Sequence, residues 1–147
     1  YSLQRRGDEY RGLFPLWNWR RLPGSLIPEN AELPVDSYGW NTAGRTAFAG
    51  GAFLGNSSAF GYDYDWQGMT ARRAWFTSGE GVLAMATAVK DRDDRPLRQT
   101  LDQCLARGSV DLLGADGQVQ TAGSVHHVGT AQAVAHDGVH YLFPSPR

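Results

Sequence analysis

Ser57-Ser58-Ala59-Phe60-Gly61-Tyr62-Asp63-Tyr64-Asp65 is the stretch that decides the fold. Ala59, Gly61, Asp63 and Asp65 alternate with Phe60, Tyr62 and Tyr64. A period of two sends the rings to one side of a strand and the small and acidic residues to the other. Trp66-Gln67-Gly68 then makes a turn, Met69 to Thr77 the next strand, and Ser78-Gly79 a second turn. Gly81 to Lys90 follows, with Val82, Ala84, Ala86 and Ala88 alternating against Leu83, Met85, Thr87 and Val89. The pattern predicts a β-meander of neighbouring antiparallel strands.

Upstream of the meander, Thr46 to Phe53 reads as a small-residue strand, and Gly50-Gly51 inside it signals a bulge or a close backbone approach. Ser25 to Asn41 carries Pro28, Pro34 and Gly39 without sustained periodicity, so it is expected to be a long irregular crossing loop. Tyr1 to Gln4 could end a strand, and Arg5 to Asp8 is a polar turn around Gly7. Downstream, Asp91 to Pro96 is a charged turn. Leu97, Leu101 and Leu105 sit four apart before Gly108, a local helix pattern over Leu97 to Arg107. Val110 to Leu113, Val119 to Ala122, Val125 to Ala135 and Val139 to Phe143 read as short strands, joined by Gly114 to Gly117, Gly123-Ser124 and Asp137-Gly138. Short strands with Gly turns predict an all-β chain, an antiparallel sandwich or barrel.

The 147 residues fit one domain spanning 1–147, with 41% hydrophobic and 20% charged residues. Aromatic content of 12% with five Trp, together with 18 Gly, agrees with a β-rich chain full of turns. A net charge of −1 excludes nucleic-acid binding through overall basicity. Lys90 is the one lysine, so arginine carries nearly all the positive charge. Cys104 stands alone, which excludes an intrachain disulfide and a cysteine metal cluster. No run is long and apolar enough to span a membrane as a helix. Neither an initiating Met nor a signal-peptide pattern is present, and the start at Tyr1 gives the expectation of a piece of a larger protein.

Charge and aromatic character concentrate at one end. Arg5, Arg6, Arg11, Arg20 and Arg21 crowd the first segment against only Asp8 and Glu9. Within it lies Phe14-Pro15-Leu16-Trp17-Asn18-Trp19-Arg20-Arg21-Leu22-Pro23-Gly24. Aromatic faces stack on sugar rings, and guanidinium forks grip carboxylates and sulfates, so Trp17, Trp19, Arg11, Arg20 and Arg21 are candidates for holding an acidic polysaccharide. The alternative is a half-buried strand whose tryptophans fill a core. Glu9 is the candidate site acid: among guanidinium groups it stays ionised and can orient a neighbouring side chain. Its alternative is a surface glutamate paired with Arg11 or Arg5.

Other constellations carry less. His126 and His127 are adjacent, which in a strand sends them to opposite faces and away from a shared metal; His136 and His140 complete no zinc motif. Asp91, Asp93 and Asp94 lack the glycine and terminal glutamate of a calcium loop and read as a solvated turn. Gly50-Gly51 and Gly55 are no phosphate-binding fingerprint, and no Gly-x-Ser-x-Gly elbow occurs.

Taken together, several segments resemble the central β-sandwich of polysaccharide lyase family 8, the chondroitin, hyaluronate and xanthan lyases. They are Gly7-Asp8-Glu9-Tyr10, Phe14-Pro15-Leu16-Trp17-Asn18-Trp19 with Leu22-Pro23-Gly24, Phe48-Ala49-Gly50-Gly51, Arg72-Arg73-Ala74-Trp75-Phe76, Thr100-Leu101-Asp102-Gln103 and His140-Tyr141-Leu142-Phe143-Pro144. The Phe-Pro-x-Trp-x-Trp form looks closest to the chondroitin ABC lyase branch. The resemblance implies a supersandwich-type fragment whose N-terminal α/α toroid, bearer of the family's catalytic Asn, His, Tyr and Arg, is missing from these residues. It implies β-elimination at a uronic acid of a chondroitin sulfate or hyaluronan type glycan, with no cofactor or metal, in a secreted or periplasmic enzyme. Donors neutralise the uronate carboxylate, a Tyr or His removes the C5 proton, and an acid protonates the leaving oxygen.

The resemblance places the β domain's glutamate at Glu9, as an orienting group and not the base. Some members carry an Asn three positions later, where this chain has Gly12. It also makes the Leu97 to Arg107 segment a strand against the local helix pattern, and it packs Trp75 inside the sandwich. The fragment alone is expected not to cleave. Two rival readings remain: a non-catalytic carbohydrate-binding module using the Trp/Arg segment, and a structural sandwich with an apolar face for another domain.

Overall fold

Alternation over 57–91 becomes a sheet of long strands in the computed structural model, which describes residues 4–29, 45–122 and 129–144. The strands are β1 Leu26–Pro28, β2 Ala49–Leu54, β3 Ser57–Trp66, β4 Met69–Ser78, β5 Gly81–Asp91, β6 Leu97–Gln99, β7 Val110–Gly114, β8 Val119–Ala122, β9 Ala131–His136 and β10 Val139–Leu142. Every pairing is antiparallel. The chain is all-β, with sheets consistent with a β-sandwich fragment. It divides into two compact units, Asn18–Thr100 and Tyr1–Trp17 with Leu101–Arg147.

In the Asn18–Thr100 unit the meander forms a sheet ordered β2-β3-β4-β5, and β1 pairs with β6 as a two-stranded ribbon. Register sets the faces: Phe60 lies opposite Trp75, Tyr62 opposite Arg73 and Tyr64 opposite Ala71. That face is packed around Met69, Ala71 and Trp75, while Phe53 and Phe60 on it are exposed. Leu26 from the ribbon joins Met69 and Ala71 from β4 in a buried cluster, with Tyr64 and Leu97 against it. Phe60 and Tyr62 stack on Trp75 at 6.0 and 5.5 Å, and the Arg73 guanidinium sits 5.0 Å from the Trp75 ring. Trp75 is therefore a packing residue, as expected. On the other face Phe76 lies opposite Leu83, and both are exposed together with Met85 and Leu54.

Gly50-Gly51 makes no bulge, since β2 and β3 pair in unbroken register. It does make a close approach, because a Cβ at Gly51 would stand 2.7 Å from the Ala59 carbonyl oxygen. The irregularity falls instead between β4 and β5, where register shifts at Thr70/Arg72 and Ala88 takes φ of 50°. After β5, Asp91 accepts hydrogen bonds from the Asp93 and Arg95 amides and from the Arg95 guanidinium, so the charged turn is organised by its own arginine.

Three expectations are corrected. The Phe14 to Gly24 segment is not a strand: Phe14–Leu16 is a 3-10 turn with Pro15 in it, and Asn18 closes a turn with Arg21. Proline fixes φ and removes a donor, and the Asn18 side chain accepts from the Arg20 amide, so the backbone curls before a ladder can form. The Ser25 to Asn41 loop contains β1; residues 30–44 lie outside the described residues. Within Leu97 to Arg107 only Leu97–Gln99 is strand, and the rest is neither helix nor strand. There Gln103 donates its amide to the Asp102 side chain and Leu105 donates to the Glu9 carbonyl, which leaves a helical ladder unmade.

In the other unit the sheet is ordered β10-β9-β7-β8, with Asp137-Gly138 at the tip of the β9–β10 hairpin. Both tip residues have positive φ, 47° and 74°, the backbone that a tight hairpin needs. Residues 1–3 and 125–128, which the strand expectations at both places include, lie outside the described residues.

Candidate functional site

Glu9 sits on a tight turn: the Arg11 amide donates to the Asp8 carbonyl and the Leu13 amide to the Tyr10 carbonyl. The residue is only 6% exposed. Its Oε1 accepts from the main-chain amides of Arg5 at 2.5 Å and Arg6 at 2.7 Å. These donors hold the Glu9 carboxyl down at about 2, the Arg6 amide most of all, against the opposing effect of burial. Its Oε2 is buried and finds no hydrogen-bond partner among the described residues.

The acid is thus ionised, as the sequence suggests, but for a different reason. Main-chain N–H groups hold it, while the neighbouring guanidinium groups turn elsewhere. Arg6 makes a two-pronged bond to the Asp137 carboxylate at 2.9 and 2.7 Å, and Arg5 donates to the Asp137 carbonyl at 2.9 Å. The surface ion pair of Glu9 with Arg11 or Arg5 does not form.

Residues 102–107 hold the other side of the turn. Arg107 donates to Asp8 at 2.9 Å and depresses that carboxyl, and Tyr10 donates its hydroxyl to Asp102 at 2.8 Å. Glu9 shares a cavity of about 20 Å³, the size of one water, with Asp102, Cys104, His136 and Tyr141. Burial, with Asp102 nearby, pushes the Cys104 thiol up to about 11 and the Tyr141 hydroxyl up to about 12. His136 Nε2 accepts from the Arg107 amide at 3.4 Å, and its Nδ1 lies 3.7 Å from Cys104 Sγ.

The aromatic and basic candidates separate by exposure. Trp17 is half-buried and meets Tyr10 and Phe14 edge to face at 5.2 and 4.9 Å. Trp19 is 51% exposed, and Arg11 and Arg20 are exposed. Arg21 is half-buried with its guanidinium 3.6 Å from Glu29. Glu9, Arg11 and Trp17 belong to one unit, and Trp19, Arg20 and Arg21 to the other. Gly12 has φ of 74°, and open space surrounds the position a Cβ would take.

Sequence reasoning missed Asp102, Arg107, His136, Asp137 and Tyr141 around Glu9. Asp102 and Tyr141 stood in the resembling segments, His136 among the histidines and Asp137-Gly138 as a turn, but nothing local says that a turn tip receives two arginines from 131 positions away and more. His126 and His127 lie outside the described residues. Among the described residues no group of three or more His, Cys, Asp or Glu side chains is arranged to hold a metal.

Comparison with known proteins bears on what this arrangement serves. The model of the polysaccharide lyase family 8 super-sandwich domain matches residues 1–147. A chondroitinase-AC of Pedobacter heparinus is 27% identical over 110 residues, 74% of this chain and 16% of that protein. A solved structure of chondroitinase AC lyase, whose active site was revealed by enzyme–oligosaccharide complexes and mutagenesis, superposes with a TM-score of 0.84. It shares 26% identity and covers 97% of this chain. The chain spans 16% of the first relative's length and 21% of the second's.

Proposed function

Because the chain belongs to polysaccharide lyase family 8, as super-sandwich domain, we propose that it forms the β-sandwich part of an enzyme cleaving uronic-acid-containing glycosaminoglycans by β-elimination. The carrying observation is the family match along residues 1–147, with Glu9 held ionised inside it. Groups of an α/α toroid neutralise the uronate and move the C5 proton; the β domain supplies a rigid anionic turn and part of the glycan surface. Glu9 acts as a positioning residue. Its Oε1 is engaged with two amides and its Oε2 is buried, so it is not the base.

Arg11, Trp19 and Arg20 offer the exposed cationic and stacking groups for an acidic polysaccharide, while Trp17 buttresses the turn through Tyr10 and Phe14. Arg21 contributes a guanidinium paired with Glu29. The single-domain reading of 1–147 and a secreted or periplasmic location belong to the same proposal. So does the broad-specificity ABC branch, which rests on the Phe14 to Trp19 form alone. The test is the absorbance of unsaturated product from chondroitin sulfates and hyaluronan. The full-length protein should give it, the isolated chain should not, and Glu9→Gln should lower turnover about a hundredfold in the full-length protein. Product from the isolated chain would overturn the divided-site reading.

The exposed Trp19 beside Arg20 also favours a second reading, glycan binding without catalysis. It requires saturable, salt-sensitive binding by the isolated chain, abolished by Trp19→Ala.

A further inference from the structure

The Asp137-Gly138 tip of the β9–β10 hairpin is built around the two residues whose amides hold Glu9. We propose that this tip is the positioning device for Glu9, acting through Arg5 and Arg6; the link to turnover rests on the lyase reading above.

The same two arginines are held at both ends. Their side chains go to Asp137, Arg6 through both guanidinium nitrogens to the carboxylate and Arg5 to the carbonyl oxygen. Their main-chain amides go to Glu9 Oε1. A planar fork on a carboxylate fixes orientation as well as distance, and the Asp137 side chain is only 16% exposed. Because Arg5 and Arg6 are adjacent, anchoring both side chains on Asp137 restricts where their two amides can lie, and Gly7 then turns the chain at φ of 78°.

Gly138 completes the receptor by having no side chain. A Cβ there would collide with the Arg5 guanidinium. An Asp-Gly turn needs only its own backbone geometry, so an ordinary hairpin tip would leave this space to solvent. Here it is filled by a guanidinium from the segment that carries Glu9. Without the tip, Arg5 and Arg6 would point into water and their amides would have no reason to converge on one oxygen.

The experiment uses the full-length protein with Arg6→Gln, Asp137→Asn and, as an independent route, Arg5→Gln. Hydrogen exchange of the peptide spanning residues 4–9 is read beside steady-state kinetics. The proposal expects the Arg5 and Arg6 amides to exchange about tenfold faster in each variant, with the rest of the sheet unchanged. It expects kcat to fall about fivefold or more at a KM within about twofold, and Arg6→Lys to recover part of the loss. Unchanged exchange at 4–9 in Arg6→Gln and Arg5→Gln overturns the proposal, whatever the activity does. Faster exchange with unaltered kcat keeps the clamp and overturns the role given to Glu9 in the reaction. If Asp137→Asn fails to fold, Arg6→Gln decides alone, since Arg6 is 46% exposed at its side chain.

Discussion

Glu9 and Asp91 are carboxylates whose folded-state values lie below their unfolded ones, Glu9 through the Arg6 amide and Asp91 through the Arg95 guanidinium. The unfolded chain then binds more protons as pH falls, so both groups stabilise the fold fully above the ordinary carboxylate range. That contribution is lost on acidification, for Glu9 as pH drops through about 2. Urea midpoints measured across acid pH should therefore fall less steeply in Glu9→Gln than in the parent. Cys104 behaves in the opposite sense: burial favours its thiol form, so iodoacetamide at about pH 8 should label it more slowly in the folded chain than after unfolding. Met69 is fully buried, and Met69→Ala should cost about 3 kcal/mol in chemical denaturation. Ala88 occupies the left-handed region, so Ala88→Gly should stabilise by about 0.5 kcal/mol, the relief of strain outweighing the added chain entropy. At Gly12 the same region and the open space admit an asparagine, which tolerates that backbone better than most residues.

Elements were legible where the residues repeat with period two. Phe60, Tyr62 and Tyr64 announce β3, and Val82 to Val89 announce β5, because pleated alternation is written locally. The candidate acid Glu9 was legible from its place among arginines, and the resemblance added the orienting role proposed for it. The convergence of its neighbours on it was not legible: Asp137 and Arg6 meet across 131 positions, and such pairing is set by the fold. The Phe14 to Gly24 segment misleads for a related reason, because Trp17 and Trp19 alternate while Pro15 and Asn18 bend the backbone. Trp17 packs on Tyr10 and Phe14 whereas Trp19 is half exposed, so the two should respond differently to truncation. Trp17→Ala should destabilise the fold by about 2 kcal/mol, and Trp19→Ala should stay within about 0.5 kcal/mol while weakening glycan binding. Thermal denaturation and a binding titration on the same two variants separate these effects.

At the scale of the whole molecule, the Asn18–Thr100 sheet is packed on one face only around Met69, Ala71 and Trp75, and its other face carries Leu54, Phe76, Leu83 and Met85 in the open. Each is 45% exposed or more, which an independent domain seldom permits in one row. This favours a sandwich layer made to be covered, the structural role held as a rival to glycan binding. Leu83→Ser with Met85→Ser should lower the binding of a hydrophobic dye by the isolated chain and leave its denaturation midpoint nearly unchanged. The outer position of β5 has a further consequence. Among the described residues no strand pairs with the outer side of β5, and a long apolar strand open on one side is a template on which other extended chains can zip. The kink at Ala88 interrupts that template after seven residues of β5, Gly81 to Thr87, and those seven are where fibril growth would start if the chain were produced alone.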